Sequence, residues 1–131
     1  MRPGAEITAI EIEIDGAHPA LAERAAEAAL AACGVEDGHL AIAFVDAEEI
    51  RLLNRDHRDR DLPTDVLSFP VDGPDEAHGP RELGDVVICP AHTADIAEAV
   101  VHGVLHLCGY DHETDGGEML RLQARVLEGL G

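Results

Sequence analysis

Leu40-Ala41-Ile42-Ala43-Phe44-Val45-Asp46-Ala47-Glu48-Glu49-Ile50-Arg51-Leu52-Leu53 changes its hydrophobic period at a single residue. Before Asp46 the run is short and apolar, which predicts a buried strand from Leu40 to Val45. Asp46 with Glu49 three residues later has the form of a capping box, so a helix carrying Ile50, Leu52 and Leu53 starts there. The flanking sequence repeats this alternation of strand and helix. On the N-terminal side, Ile10, Ile12 and Ile14 alternate with Glu11 and Glu13, the period-two pattern of a half-exposed strand. His18-Pro19 then opens an alanine-rich helix that Gly34 closes after Cys33. On the C-terminal side, Asn54 to Pro63 is polar and charged, and Val66-Leu67-Ser68-Phe69 reads as a third strand. Residues 72 to 82 collect Pro, Gly, Asp and Glu and form the clearest loop. Val86 to Cys89 is a fourth strand ended by Pro90, and helices follow from about Thr93 to Leu107 and from about Gly117 to Leu130. Four strands interleaved with four helices predict an α+β fold, α/β-like in its alternation, built on one mixed sheet. The first strand, charged on one face, belongs at a sheet edge.

The chain has 131 residues, so a single domain over 1–131 is expected, and 46% apolar residues supply a core for it. Met1 to Glu6 contain no apolar segment of the kind a secretory leader needs, and no run reaches the length of a membrane span. The expected location is therefore the cytoplasm, away from membranes. Cys33, Cys89 and Cys108 are odd in number and widely spaced, which argues for free structural thiols rather than a disulfide framework. Twenty-seven acidic against nine basic residues give a formal charge of −18, which repels a polyphosphate at long range. Every base is an arginine, and Arg51, Arg55, Arg58 and Arg60 fall within ten residues. Pairing with Asp56, Asp59 and Asp61 would make this cluster a solvated surface, but it does not explain why the cluster exists.

The chemistry concentrates in His102-Gly103-Val104-Leu105-His106-Leu107-Cys108-Gly109-Tyr110-Asp111-His112. His102 and His106, four apart on a helix, project from one face about one turn apart, close enough to share an ion. Gly109 can end that helix in the left-handed conformation, letting the chain reverse and bring His112 back as a third ligand. Three protein ligands with an open position are the arrangement of a catalytic zinc, whereas a structural site is usually closed by four. A buried helix also needs partners for two polar imidazoles, and a shared metal supplies them. Asp111 and Glu113 flank His112 and are either orienting partners of the imidazoles or solvated carboxylates. His18, His39, His57, His78 and His92 read as turn or helix-start residues without a role.

The spacing is that of the metzincin proteases, H-E-x-x-H-x-x-G-x-x-H, except that Gly103 stands where their catalytic glutamate does. Without that base, peptide hydrolysis is disfavoured, and Gly103→Glu would be expected to put a carboxylate beside the metal.

His102 to His112 resembles the signature of the YbeY family of bacterial rRNA maturation endoribonucleases. Asn54 to Phe69, with His57-Arg58-Asp59-Arg60-Asp61 and Pro63-Thr64-Asp65-Val66-Leu67-Ser68-Phe69, resembles that family's arginine-bearing loop and following strand, and Leu83 to Ile88 resembles its next strand. The likeness runs from about Leu40 to the C-terminus. It implies a zinc-dependent, single-strand-specific endoribonuclease acting in rRNA maturation and ribosome quality control. His102, His106 and His112 would hold one Zn2+ at the helix-turn near the C-terminus, and Arg58 would be the catalytic arginine. The implied partners are single-stranded RNA and the small ribosomal subunit or its assembly proteins, with no role for DNA. The segment from Ile88 to His102 is shorter than the family norm, implying a shortened lead-in helix. A zinc hydrolase of a peptide-like substrate and a non-catalytic, zinc-containing assembly factor are the competing readings. With only Phe44, Phe69 and Tyr110 as aromatics, the chain lacks the stacking platforms of a general single-strand binder, so weak intrinsic RNA affinity is expected.

Overall fold

The computed structural model describes residues 9–72 and 81–130. The expectations for Met1 to Glu6, for His78 and for most of the 72–82 loop lie outside the described residues. The elements are β1 (Ala9–Asp15), α1 (Pro19–Ala32), β2 (Asp37–Phe44), α2 (Ala47–Arg58), β3 (Val66–Pro70), β4 (Glu82–Ile88), α3 (Ile96–Leu107) and α4 (Glu118–Leu130). One turn of 3-10 helix, Pro90–His92, joins β4 to α3. The four strands form one sheet in the order β1-β2-β4-β3, with β1 at an edge as its charged face predicts. β1, β2 and β4 are parallel and β3 is antiparallel to β4, so the sheet is mixed and the fold is α+β.

Helices α1 and α3 cover one face of the sheet, and α4 packs against both of them. On that face, Leu40, Ile42, Val86 and Ile88 meet Val100, Val101, Val104 and Leu105 of α3. Each such side chain contributes about 1.5–3 kcal/mol when fully buried. The buried stripe of α1 is Ala22, Ala25, Ala26, Ala29 and Leu30, small enough for the helix to lie close against its neighbours. On the other face Ile50 of α2 packs with Leu67, Val87 and Cys89. β4 feeds both cores, Val86 and Ile88 to one and Val87 to the other, which is why its last three residues are all apolar instead of alternating.

Three boundaries differ clearly from those predicted, the first being that β2 begins at Asp37, not Leu40. α2 runs through Arg58 and so takes in the first five residues of the polar, charged stretch that begins at Asn54. Only Ile50 and Asn54 of this helix are buried, so a mostly solvated surface conceals its periodicity. Its ends carry the charges that a helix dipole favours, Glu48 and Glu49 first and Arg55, His57 and Arg58 last. The predicted cap is present: the Asp46 carboxylate accepts the Glu49 N–H at 2.8 Å. β4 begins at Glu82, not Val86, because Gly84 and Asp85 continue its ladder with β3 and Glu82 pairs with His39 of β2.

His39 lies within β2, neither in a turn nor at a helix start, and its two ring nitrogens meet Glu13 of β1 and Glu82 of β4 across the sheet. Glu13 first, then Glu82, holds its pKa above the ordinary histidine value. The three cysteines are free. Hydrogen bonding to Cys33, reinforced by burial, pushes the Cys108 thiol far up, so it stays protonated and inert.

Candidate metal centre

α3 is held so that one stripe of it faces outward into a cleft. The Asp95 carboxylate accepts the Glu98 N–H at 3.1 Å and starts the helix, while Ala99, Val100, Val101, Gly103, Val104, Leu105 and Leu107 are buried. The residues left over at four-residue spacing are Glu98, His102 and His106, and all three line the cleft. The helix ends as its glycine predicts. Gly109 takes φ +106°, and Tyr110 N–H bonds back to the Leu105 carbonyl at 3.1 Å.

The chain then turns through Asp111 to Asp115 and enters α4. Asp111 is spent on this turn, its carboxylate accepting the Glu113 N–H at 3.0 Å and its carbonyl the Thr114 N–H at 3.2 Å. The Asp115 carboxylate accepts the Met119 and Gly117 N–H groups at 2.9 and 2.8 Å, bonds that lower its pKa. His112 is thereby fixed between the end of one helix and the start of the next. Ligand atoms of His102, His106 and His112 all lie within 4.8 Å of one another. The ring centroids form a near-equilateral triangle with sides of 4.8, 5.0 and 5.2 Å.

The donor set fits a metal. Gln123 Oε1 lies 2.8 Å from His102 Nδ1, and the Tyr110 carbonyl lies 2.9 Å from His106 Nδ1. An acceptor oxygen at Nδ1 selects the tautomer whose Nε2 carries the lone pair a metal needs. Burial first, then the neighbouring His102, lowers the pKa of His106 and favours its neutral, ligating form. His112 Nδ1 is buried without a hydrogen-bond partner, a costly state for a polar atom unless an ion balances it nearby. Asp111 and Glu113 do not orient the imidazoles; both are exposed, and Asp111 serves the turn.

Arg58 lines the same cleft, about 680 Å³ in volume, although it is 44 positions from His102 in sequence. Asp59, at φ +58°, ends α2 directly after it, and the buried Asn54 amide donates to the Leu62 carbonyl at 2.9 Å to fix the departing chain. Pairing accounts for Arg51 and Arg55 of the arginine cluster, but among the described residues not for Arg58 or Arg60. Arg51 bridges Glu48 and Asp61, and Arg55 meets Asp56, but among the described residues no carboxylate pairs with Arg58.

Gly103 has a role that the protease comparison does not suggest. A Cβ there would stand 2.5 Å from Val86 Cγ1 and 3.2 Å from Ser68 Oγ. Ser68 itself donates to the Gly103 carbonyl at 3.0 Å. The missing side chain lets α3 lie against the sheet, so Gly103→Glu would disrupt packing at its first side-chain atom and not simply supply a base. Gln123 and Glu98 are polar cleft residues that escaped the sequence reading. Glu98 was detectable, being four before His102 on the same helical stripe; Gln123 becomes a partner only once α4 folds back on α3.

A family model described as endoribonuclease YbeY matches residues 6–131. Among curated relatives, the endoribonuclease YbeY of Azorhizobium caulinodans is 42% identical, covering 89% of this chain and 83% of its own length. That of Rubrobacter xylanophilus is 49% identical over 70% of this chain and 67% of its own. A solution structure of a Thermotoga maritima protein superposes with a TM-score of 0.56 at 30% identity, covering 91% of this chain and 87% of the other.

Proposed function

This chain belongs to the endoribonuclease YbeY family, and on that premise we propose that its cleft is a zinc-dependent centre that cuts single-stranded RNA internally during rRNA maturation. The observation that carries the proposal is the convergence of three imidazoles and one unpaired guanidinium on a single cleft. His102, His106 and His112 would hold one Zn2+, and imidazole donors suit that ion. When bound, zinc supplies Lewis acidity, offsetting charge on a phosphoryl oxygen and bringing the pKa of water from 15.7 toward about 7.

The chain's own residues do the rest. Arg58 presents a planar fork of N–H donors to the non-bridging oxygens, where charge accumulates as the phosphodiester is attacked. With no carboxylate among the described residues on it, that fork takes a phosphate without first breaking an ion pair. The imidazoles of His102 and His106 are held by acceptors at Nδ1, which keeps these two rings from rotating when substrate enters. The attacking oxygen is either water or the RNA 2′-hydroxyl, and the same cleft serves both.

The net charge of −18 and the scarcity of aromatics mean that only a local positive site contacts phosphate. A ribosomal or assembly protein that delivers rRNA to the cleft resolves this, and a cytoplasmic location goes with it. Among the described residues no helix is long and apolar enough to cross a membrane.

Substrate class is tested by incubating the zinc-loaded protein with a defined single-stranded RNA, its duplex form, and casein. Internal cleavage of the single strand is expected, with the duplex and casein left intact. Hydrolysis of casein with the RNA left whole would assign the centre to peptide chemistry despite Gly103.

A further inference from the structure

The three imidazoles are not supported alike. His106 leans on a backbone carbonyl, Tyr110, which any sequence provides. His102 depends on one side chain, Gln123 Oε1 at 2.8 Å, reaching from α4. His112 Nδ1 has no partner at all among the described residues. The rotation of α4 is set by Met119 and Val126, both buried in the main core. Gln123 follows Met119 by one helical turn and lies between the two, a polar residue on the inward stripe of an amphipathic helix. A polar group at such a position needs a partner, and the one it has is a member of the histidine triad.

We propose that Gln123 is a positioning residue of the metal centre: its amide oxygen selects the ligating tautomer of His102 and ties α4 to the bound ion. The proposal rests on the metal-binding reading above and extends it to a residue outside the histidine motif. A neutral imidazole has two tautomers, and only the one protonated on Nδ1 both satisfies Gln123 and leaves Nε2 free. Without the amide oxygen, His102 divides between tautomers and ring orientations, and each metal-binding event must select one of them. The loop carrying His112 is bounded by α3 and α4, so the Gln123 bond also closes a circuit: His102 and His106 on α3, His112 on the loop, and Gln123 on α4 returning to His102. Metal binding and α4 docking therefore reinforce one another.

The test compares wild type with Gln123→Leu and Gln123→Glu. Zinc affinity is measured by competition with a chromogenic chelator, and the metal-free melting temperature is measured alongside. Leucine should weaken zinc binding by about 10- to 100-fold, the range for losing such a partner, and leave the metal-free protein folded. Glutamate keeps an acceptor oxygen and should restore wild-type affinity or exceed it. Nitrogen-15 NMR of the metal-free wild type should find the proton of neutral His102 on Nδ1, a readout that does not depend on any variant folding. Zinc binding as tight in Gln123→Leu as in wild type, glutamate as weak as leucine, or His102 protonated on Nε2 would each overturn the assignment of Gln123. Wild-type protein that binds no zinc would instead overturn the metal reading beneath it.

Discussion

Gly103→Val is expected to cost at least about 3 kcal/mol of folding stability, the upper end of what overpacking a core usually costs. Glycine in a helix interior is normally a weakness, and replacing it with alanine gains about 0.5–1 kcal/mol. Position 103 should reverse that sign, because the first added carbon falls 2.5 Å from Val86 Cγ1, inside the contact between α3 and β4. Val86 is fully buried and β-branched, so it has few rotamers with which to move aside. Gly129 in α4 is the matched control, since a Cβ built there meets nothing within 4 Å. Urea denaturation of Gly103→Ala, Gly103→Val and Gly129→Ala reads all three. The first two should lose stability in that order and the third should hold or gain. A Gly103→Val midpoint equal to wild type would mean that α3 does not sit as close to the sheet as described. Because the same helix carries His102 and His106, any zinc affinity that survives in Gly103→Ala measures how far helix position alone controls the centre.

Arg58→Ala is expected to slow RNA cleavage by about 10²- to 10³-fold, the scale of removing one preorganised donor from a developing anion. Folding stability should change by no more than about 0.5 kcal/mol, since the side chain is exposed and no carboxylate among the described residues depends on it. Arg58→Lys keeps the charge and loses the fork, so its rate should fall between the two. Arg51 supplies the contrast, being fully occupied by Glu48 and Asp61. Full activity in Arg58→Ala together with a lowered melting temperature would make Arg58 a structural surface residue.

The order of elements and the mixed sheet were legible from hydrophobic period and cap chemistry, because both act locally. Asp46 is the clearest case: its acceptor role is set by the residues immediately following it. The later half of α2 was not legible. Its stripe holds only Ile50 and Asn54 as buried residues, too few to show a 3.6-residue period. The three histidines were readable for the same local reason as Asp46, since helix spacing and one glycine bring them together. What surrounds them was not. Gln123 reaches His102, and Ser68 and Val86 reach Gly103, through tertiary contacts between elements, and neither their spacing nor their type announces a partner. A polar residue on the inward face of α4 was the one available hint. For Asp111 and Glu113 the sequence left two readings open, and the exposed carboxylates, with that of Asp111 taken by the turn, decide for the solvated one.

The measurement closest to the central claim is the rate of internal cleavage of one defined single-stranded RNA by chelator-stripped protein as zinc is titrated back, wild type beside His106→Ala. Stripped wild-type protein should be inactive and should regain its rate with saturation near about one equivalent, the stoichiometry of a three-ligand site. His106→Ala, which removes the middle ligand and leaves the rest of α3 in place, should remain inactive over the same range. Full cleavage by stripped protein without metal, or recovery of His106→Ala at the same zinc concentration as wild type, would contradict the account.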